Sequence, residues 1–223
     1  MSSQEAFEPA LGWCSREVEE ELPELRIMLA EAHIARAAAV TAASPTEVKA
    51  RLREMSNRFH GPRAVAIRRE PVPAAYRVFF RHIGLDPDVV RTPIEAVALE
   101  RMLRGGFLSG GLLRDVLLLA LVDTGVPVWA LDTALLDGPI GVRESREGEL
   151  FGRSQTAPAL PAGRLVIADA AAPVAILFGR LAPQHEASAA TRQLTLFAVQ
   201  VAGVPELFVE EALWTSQMAL EHS

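Results

Sequence analysis

The sequence has 223 residues, of which 50% are hydrophobic and 22% are charged, and its formal net charge is −6. This length can bury the core of one sizeable domain, and the composition is typical of a soluble globular protein. The longest apolar run, residues 116–122, is much shorter than the ~20 residues of a membrane span. A single cysteine, Cys14, excludes an intrachain disulfide and a cysteine-based zinc cluster. The first residues lack the features of a signal peptide, so we expect a cytoplasmic protein.

Hydrophobic periodicity predicts one strand followed by helices. Leu25, Ile27 and Leu29 alternate with Glu24, Arg26 and Met28, and this period of two predicts a strand near residues 24–34. Ser44 and Pro45 predict the start of a helix that runs to Phe59, with Ser44 as the N-cap. Glycines and a capping-box sequence at residues 92–95 delimit three further helices, expected over 73–83, 92–105 and 111–123.

After Gly125 the pattern changes to short apolar runs separated by turn residues. These runs predict strands at 126–131, 140–144, 164–168, 174–178 and 195–201, and an amphipathic helix is expected over 205–220. The segregation of helices from strands predicts an α+β fold with a mixed or antiparallel sheet. We divide the chain into an acidic N-terminal extension, residues 1–22, and a single domain, residues 23–223.

Charge is distributed unevenly along the chain. Residues 1–31 hold eight acidic residues and two arginines, a balance of −6, whereas residues 47–104 hold twelve basic and seven acidic residues, a balance of +5. The basic residues belong either to solvated helix faces or to a landing surface for a phosphate backbone. In the second case, the RNA-binding side chains are expected to be Arg77, Arg81, Arg91, Arg101 and Arg104.

The sequence lacks the motifs that identify common enzyme classes. It has no P-loop, no G-x-S-x-G elbow and no H-E-x-x-H, and its five histidines are not at ligand spacing. We therefore expect neither a metal nor another cofactor. Asp123, Asp132 and Asp137 precede turns, where aspartate ordinarily caps or closes the backbone.

Several short stretches occur in an informative order. They are YR at 76–77, RTPIEA at 91–96, RMLRG at 101–105, GVPVWALD at 125–132, GPIGVRESREGE at 138–149, LVIAD at 165–169 and EASAAT at 186–191. Together they resemble the tRNA-editing (B3/B4) module of the phenylalanyl-tRNA synthetase beta subunit, and free-standing proteins built on that module. The resemblance covers roughly residues 24–205, with no room for the other modules of a complete synthetase.

The resemblance implies removal of tyrosine wrongly attached to the phenylalanine tRNA. An apolar pocket discriminates poorly against an isostere that only adds a hydroxyl group, so a second site must reject the error. In the family a glutamate meets the tyrosine hydroxyl, and the matching residue here is Glu186. The family brings that segment together with those of Trp129, Asp132 and Asp115, which implies a substrate pocket there. The resemblance does not assign a catalytic residue.

Several polar positions of the family's pocket are apolar or bulky in this sequence. A Thr-Asn pair corresponds to Leu117 and Leu118, a histidine to Trp129, and two glycines to Gln184 and His185. Trp129 therefore has a second interpretation, as an ordinary core residue.

Two functions remain open. One is a free-standing tRNA-binding or editing factor, a possible aminoacyl-tRNA deacylase, whose partner is tRNA or aminoacyl-tRNA and neither DNA nor a membrane. The other is a catalytically inactive relative that binds a small molecule, such as an amino acid, or a partner protein. In the second case Glu186 is a solvated loop residue.

Overall fold

The computed structural model describes residues 7–36, 39–59 and 61–223. The helices in these ranges are α1 (Arg16–Glu21), α2 (Thr46–Arg58), α3 (Gly61–Ala66), α4 (Pro71–His82), α5 (Pro93–Arg104), α6 (Leu112–Thr124) and α7 (Glu206–Glu221). The strands are β1 (Ala10–Leu11), β2 (Trp13–Cys14), β3 (Arg26–His33), β4 (Val128–Asp132), β5 (Gly141–Glu144), β6 (Leu165–Ala168), β7 (Pro173–Ile176) and β8 (Gln193–Gln200). None of the described helices has the length and hydrophobicity needed to cross a membrane.

The strands form two four-stranded sheets. Sheet A has the order β1-β3-β8-β4 and is antiparallel throughout. Sheet B has the order β2-β5-β6-β7, in which β2 runs parallel to β5 and the other pairs are antiparallel. The predicted α+β class, with mixed or antiparallel pairing, is confirmed.

Sheet A carries the main hydrophobic core. Strand β8 lies between β3 and β4, and its residues 194–199 are buried. Helix α7 packs against α6, β3 and β8. Helix α4 is fastened to the sheet through Tyr76, whose fully buried hydroxyl donates a hydrogen bond to the Val199 carbonyl oxygen at 2.8 Å. Burial raises the pKa of this phenol, so it stays a neutral donor.

The helices predicted before Gly125 are present as α2, α4, α5 and α6, whereas the short helices α1 and α3 were not predicted. Helix α5 has the predicted capping box of Thr92 and Glu95, and it ends at Gly105, whose φ of 76° is the left-handed conformation that glycine adopts readily. The predicted N-cap of α2 is wrong. Pro45 occupies that position without a side-chain capping bond, because the Ser44 hydroxyl donates to Asp115 instead.

The N-terminal segment connects the two sheets. Residues Ala10 and Leu11 pair with β3 in sheet A, and Trp13 and Cys14 pair with β5 in sheet B. Gly12 makes the crossing, where a Cβ atom would lie 2.5 Å from both the Ile140 carbonyl oxygen and the Ile27 side chain. Only glycine fits there without displacing the backbone. The boundary proposed after residue 22 stays a prediction, with β1, β2 and α1 on its N-terminal side.

A buried carboxylate fixes the loop that enters α6. Asp115 is fully buried, and its carboxylate accepts hydrogen bonds from the hydroxyls of Ser44 and Ser109 and from the Gly110 amide. The loop before α6 is thereby tied to the start of α2. Burial of a carboxylate without hydrogen-bond donors is very costly in free energy. The three donors offset that cost and make the buried position of Asp115 stable.

A second buried carboxylate, Asp169, organises sheet B. It accepts hydrogen bonds from the amides of Asp137, Ala171 and Ala172 and from the Arg153 guanidinium. Burial opposes ionisation, but the amide donors and Arg153 outweigh it and lower the Asp169 pKa. The buried His185 ring lies 4.0 Å away, and burial lowers its pKa despite the attraction of Asp169.

The first prediction concerns Asp115. We expect Asp115→Ala to lower the free energy of unfolding by about 3 kcal/mol, because three donors lose a charged acceptor inside the protein. The matched control is Asp123→Ala, eight residues later on the same helix, which breaks only a surface ion pair with Arg51. That change should cost less than about 1 kcal/mol in urea denaturation. Equal losses in the two variants would contradict the structural role of Asp115.

The second prediction concerns pH. The folded protein resists protonation of His185, whereas the unfolded chain takes up that proton near the ordinary pKa of about 6.5. The free energy of unfolding should therefore fall as the pH drops below about 6.5. Asp169, with its lowered pKa, should add a loss only below its ordinary value of about 3.8. Denaturation of His185→Gln between pH 4.5 and 7.5 should show a flatter pH dependence than the unsubstituted protein.

Candidate functional site

Trp129 on the edge strand β4 forms the inner wall of the candidate site. It pairs in register with Phe197 of β8, and the two rings stack with centroids 5.3 Å apart and planes 13° from parallel. The stacking fixes the indole beside its cross-strand neighbour. Trp129 is therefore only half-buried, and part of its ring faces a cavity beside β4.

Phe178 supplies the second aromatic wall. Its ring lies 5.8 Å from that of Trp129 in an edge-on arrangement and also contacts the rings of Tyr76, Phe79 and Phe80. Its φ of 55° is left-handed, which ends the strand predicted over 174–178 at Ile176. A bulky residue in this conformation costs of order 1–3 kcal/mol, so its aromatic contacts must offset that strain.

Helices α5 and α6 complete the cavity, which has a volume of about 390 Å³. Leu117 and Leu118 project from α6, and Phe107 comes from the loop between the two helices. The volume falls within the range of ligand pockets, which are concave and mostly apolar with a few polar groups at fixed positions. The two leucines that replace polar residues of the resembled family thus line an open space rather than a filled core.

Three arginines line the cavity, and two of them, Arg91 and Arg114, are exposed to solvent. Arg91, Arg101 and Arg114 line it together with Glu100, which forms ion pairs with Arg114 at 3.2 Å and Arg104 at 3.3 Å. Arg101 also donates two hydrogen bonds to the Ser56 carbonyl oxygen, which hold its guanidinium in place. The site therefore combines an aromatic interior with exposed arginines, which suits an apolar group attached to an anion.

The acidic residues predicted for the pocket lie elsewhere. Asp115 is enclosed by its serine and amide donors, and Asp132 accepts hydrogen bonds from the Thr191 hydroxyl and the Ala134 amide. Trp129 and Asp132 are three residues apart on one strand, so their side chains point to opposite faces of sheet A. Glu186 is exposed and does not line the cavity of Trp129. Of the four predicted substrate-binding residues, only Trp129 reaches it, and the role of Glu186 stays a prediction.

Four of the five predicted RNA-binding arginines reach the cavity or solvent and their role stays a prediction, whereas the fifth, Arg77, is withdrawn from the surface. Arg91 and Arg101 reach the cavity, Arg104 lies beside it through its bond to Glu100, and Arg81 is exposed at the end of α4. Arg77 has only 10% of its side chain exposed and bonds to Asp88 at 2.6 Å and to Glu95 at 2.5 Å. Its guanidinium stabilises the α4–α5 connection.

The cavity contains few groups capable of chemistry. Its lining, within the part of the chain that the structure describes, includes no histidine, cysteine, serine or threonine, and Glu100 is its sole carboxylate. Nor do the described residues contain a cluster of three or more metal-ligating side chains. The arrangement can bind and orient a ligand, but it has no evident general base poised for proton transfer.

Two residues of the site carry no sequence pattern that would have revealed them. Phe178 falls inside an apolar run that reads as strand, and Arg114 is one of many arginines on helix faces. Only the packing of α5, α6 and the turn after β7 brings them to the same cavity.

Part of the chain is similar to the beta subunit of phenylalanine–tRNA ligase. The subunit from Xanthomonas euvesicatoria pv. vesicatoria (strain 85-10) is 40% identical over 97 residues, which are 42% of this chain and 12% of the subunit. Those from Xanthomonas oryzae pv. oryzae (strain MAFF 311018) and Xanthomonas campestris pv. campestris (strain 8004) match over the same lengths at 40% and 39% identity. No protein-family model matches the chain. The predicted resemblance to this subunit is confirmed for a segment that is a small fraction of the subunit's length.

The third prediction concerns the cavity. We expect 3-phenylpropionate, an aromatic ring on a short carboxylate, to bind in the cavity beside Trp129. Leu118→Trp should weaken binding about tenfold or more, because the larger side chain occupies space that the ring would use. The control Leu103→Trp places the same side chain at a position that is 78% exposed and outside the cavity lining.

Calorimetric titration of both variants and of Glu186→Ala measures these effects. Circular dichroism verifies that each variant is folded. Unchanged binding by Leu118→Trp would place the ligand outside the cavity, whereas weakened binding by Glu186→Ala would restore Glu186 to the site.

Proposed function

We propose that this protein is a tRNA-associated binding module whose cavity holds the apolar or aromatic side chain of an amino acid esterified to tRNA, without hydrolysing the ester. One observation carries this proposal. The cavity is open and apolar, with arginines among its lining residues, which also include Leu117, Leu118 and Trp129, the positions at which the resembled family has polar pocket residues.

An aromatic side chain gains free energy by leaving water for this cavity. Trp129, Phe178 and Phe107 offer ring surfaces for offset or edge-on contacts. Full burial of a side chain the size of phenylalanine is worth about 1.5–3 kcal/mol. That corresponds to a preference of roughly 10-fold to 100-fold for charged over uncharged tRNA.

Hydrolysis of an ester needs a positioned water, a group that accepts its proton, and donors for the oxyanion. Glu100, the one carboxylate of the described lining, forms ion pairs with Arg104 and Arg114. The apolar side chains of Leu117 and Leu118 cannot hold a water by hydrogen bonds. These features favour retention of the ligand over its cleavage.

Two observations support tRNA as the carrier of the amino acid. Part of the chain is similar to beta subunits of phenylalanine–tRNA ligase, an enzyme whose name specifies tRNA as its substrate. The exposed Arg91 and Arg114 can engage phosphate oxygens, although the chain as a whole has a net charge of −6. Contact with RNA is therefore expected to be local rather than spread over the whole surface.

The fourth prediction compares charged with uncharged tRNA. Phenylalanyl-tRNA should bind at least about tenfold more tightly than the same tRNA without the amino acid, because the side chain enters the cavity. Trp129→Ala should remove most of this difference and leave the affinity for uncharged tRNA unchanged. Filter binding at low salt measures both affinities.

The same samples test for hydrolysis. Phenylalanyl- and tyrosyl-tRNA should lose their amino acid at the rate of the buffer control. Protein-dependent loss of tyrosine that Glu186→Ala abolishes would instead establish the editing activity implied by the resemblance. Equal affinities for charged and uncharged tRNA would overturn the proposed role of the cavity.

A further inference from the structure

A shallow groove of about 220 Å³ lies on the other side of α5 from the cavity. The cavity uses one face of the helix, including Ala96 and Val97, and the groove uses another, including Ala98 and Met102. Arg91, which precedes the helix, lines both depressions. A ligand in either depression is therefore within reach of this arginine.

The groove is positively charged. Arg68 and Arg91 line it, and neither forms an ion pair within 4 Å with any carboxylate in residues 7–36, 39–59 and 61–223. Glu95 is the only acidic residue of its described lining, and it is bonded to Arg77 and to the Thr92 cap. Arg91 thus remains available to an external anion, and so does Arg68, which attracts the exposed Asp88 without direct contact.

Apolar side chains are exposed between these charges. Val65 is 60% exposed and Met102 is 47% exposed, and both line the groove. Exposed apolar surface beside unpaired arginines suits a flat group attached to a phosphate. In single-stranded RNA the bases are free to lie on such surfaces or against guanidinium planes, while phosphates engage arginine.

We propose that this groove, lined by Val65, Arg68, Arg91 and Met102, binds the single-stranded nucleotides that precede the aminoacylated end of a tRNA. The terminal phosphodiester would lie at Arg91, and the preceding base would cover Val65 and Met102 next to Arg68. The placement rests on the proposed function, because Arg91 lines both the cavity proposed for the amino acid and the groove proposed for the nucleotides before it.

The test uses uncharged tRNA, which leaves the amino-acid cavity empty, and Arg68, which lines the groove but not the cavity, separates the two sites. Affinity is measured against salt concentration for the unsubstituted protein, Arg68→Gln, Arg91→Gln and the control Arg16→Gln. Arg16 is a highly exposed arginine on α1 that lines neither depression. Each groove variant should bind about tenfold more weakly at low salt, and its slope of log affinity against log salt should fall by about 0.7. Arg16→Gln should match the unsubstituted protein.

A truncated tRNA without its last three nucleotides makes the test specific. The unsubstituted protein should bind it more weakly than intact tRNA, and the groove variants should then cause no further loss. The proposal is overturned if the variants bind intact tRNA normally, or if they lose as much affinity for the truncated tRNA as for the intact one. Undetectable tRNA binding at low salt would overturn both proposals. The groove would then be a candidate binding site for a partner protein.

The two proposals fail separately. Equal affinities for charged and uncharged tRNA, together with the expected effects of Arg68→Gln and Arg91→Gln, would refute the cavity's role and support the groove. A clear preference for charged tRNA with no effect of the two substitutions would refute the groove alone.

Discussion

The antiparallel pairing of β3 with β8 is the contact on which the rest of the structure depends. It runs without interruption from Arg26 opposite Gln200 to His33 opposite Gln193, and so joins the first long strand to the last. Strand β4 pairs with the other edge of β8, which places Trp129 beside Phe197. Such long-range pairing must overcome a large loop-closure entropy, and burial of both faces of β8 provides the compensating free energy.

The buried acidic residues connect separate segments of the chain through hydrogen bonds. Asp115 fixes the loop that leads into α6, and Asp132 connects the end of β4 to Thr191. Asp169 accepts hydrogen bonds from three backbone amides and from Arg153 beside sheet B. Each satisfies donors that would otherwise be buried without partners. Carboxylates used in this way are surrounded by protein donors, so Asp115 and Asp132 have little capacity left for a ligand.

The cavity persists because the Trp129 indole is stacked on the ring of its cross-strand neighbour Phe197 and does not extend across the space. The indole also meets the edge of Phe178, whose left-handed backbone directs the ring toward it. The bulky residue therefore forms a wall instead of filling the space. Leu117 and Leu118 give the same space an apolar lining on the side of α6.

Sequence by itself determined the local elements and the fold class. Periodicity located β3, β8 and the long helices, and the capping box at Thr92 fixed the start of α5, because these features depend on residues close together in the chain. The strands β1 and β2 were not predicted, because a segment of two residues is too short to show a periodic pattern. The ordered motifs also indicated the relation to the phenylalanine–tRNA ligase beta subunit.

Tertiary structure alone decided which of those residues share a site. Trp129 and Asp132 separate because a strand alternates its side chains between two faces, and Arg77 is withdrawn into ion pairs with Asp88 and Glu95. Phe178 and Arg114 join the cavity only through the packing of distant segments. A linear sequence records the chemical type of each side chain, but its neighbours across the fold depend on register and packing that no short stretch contains.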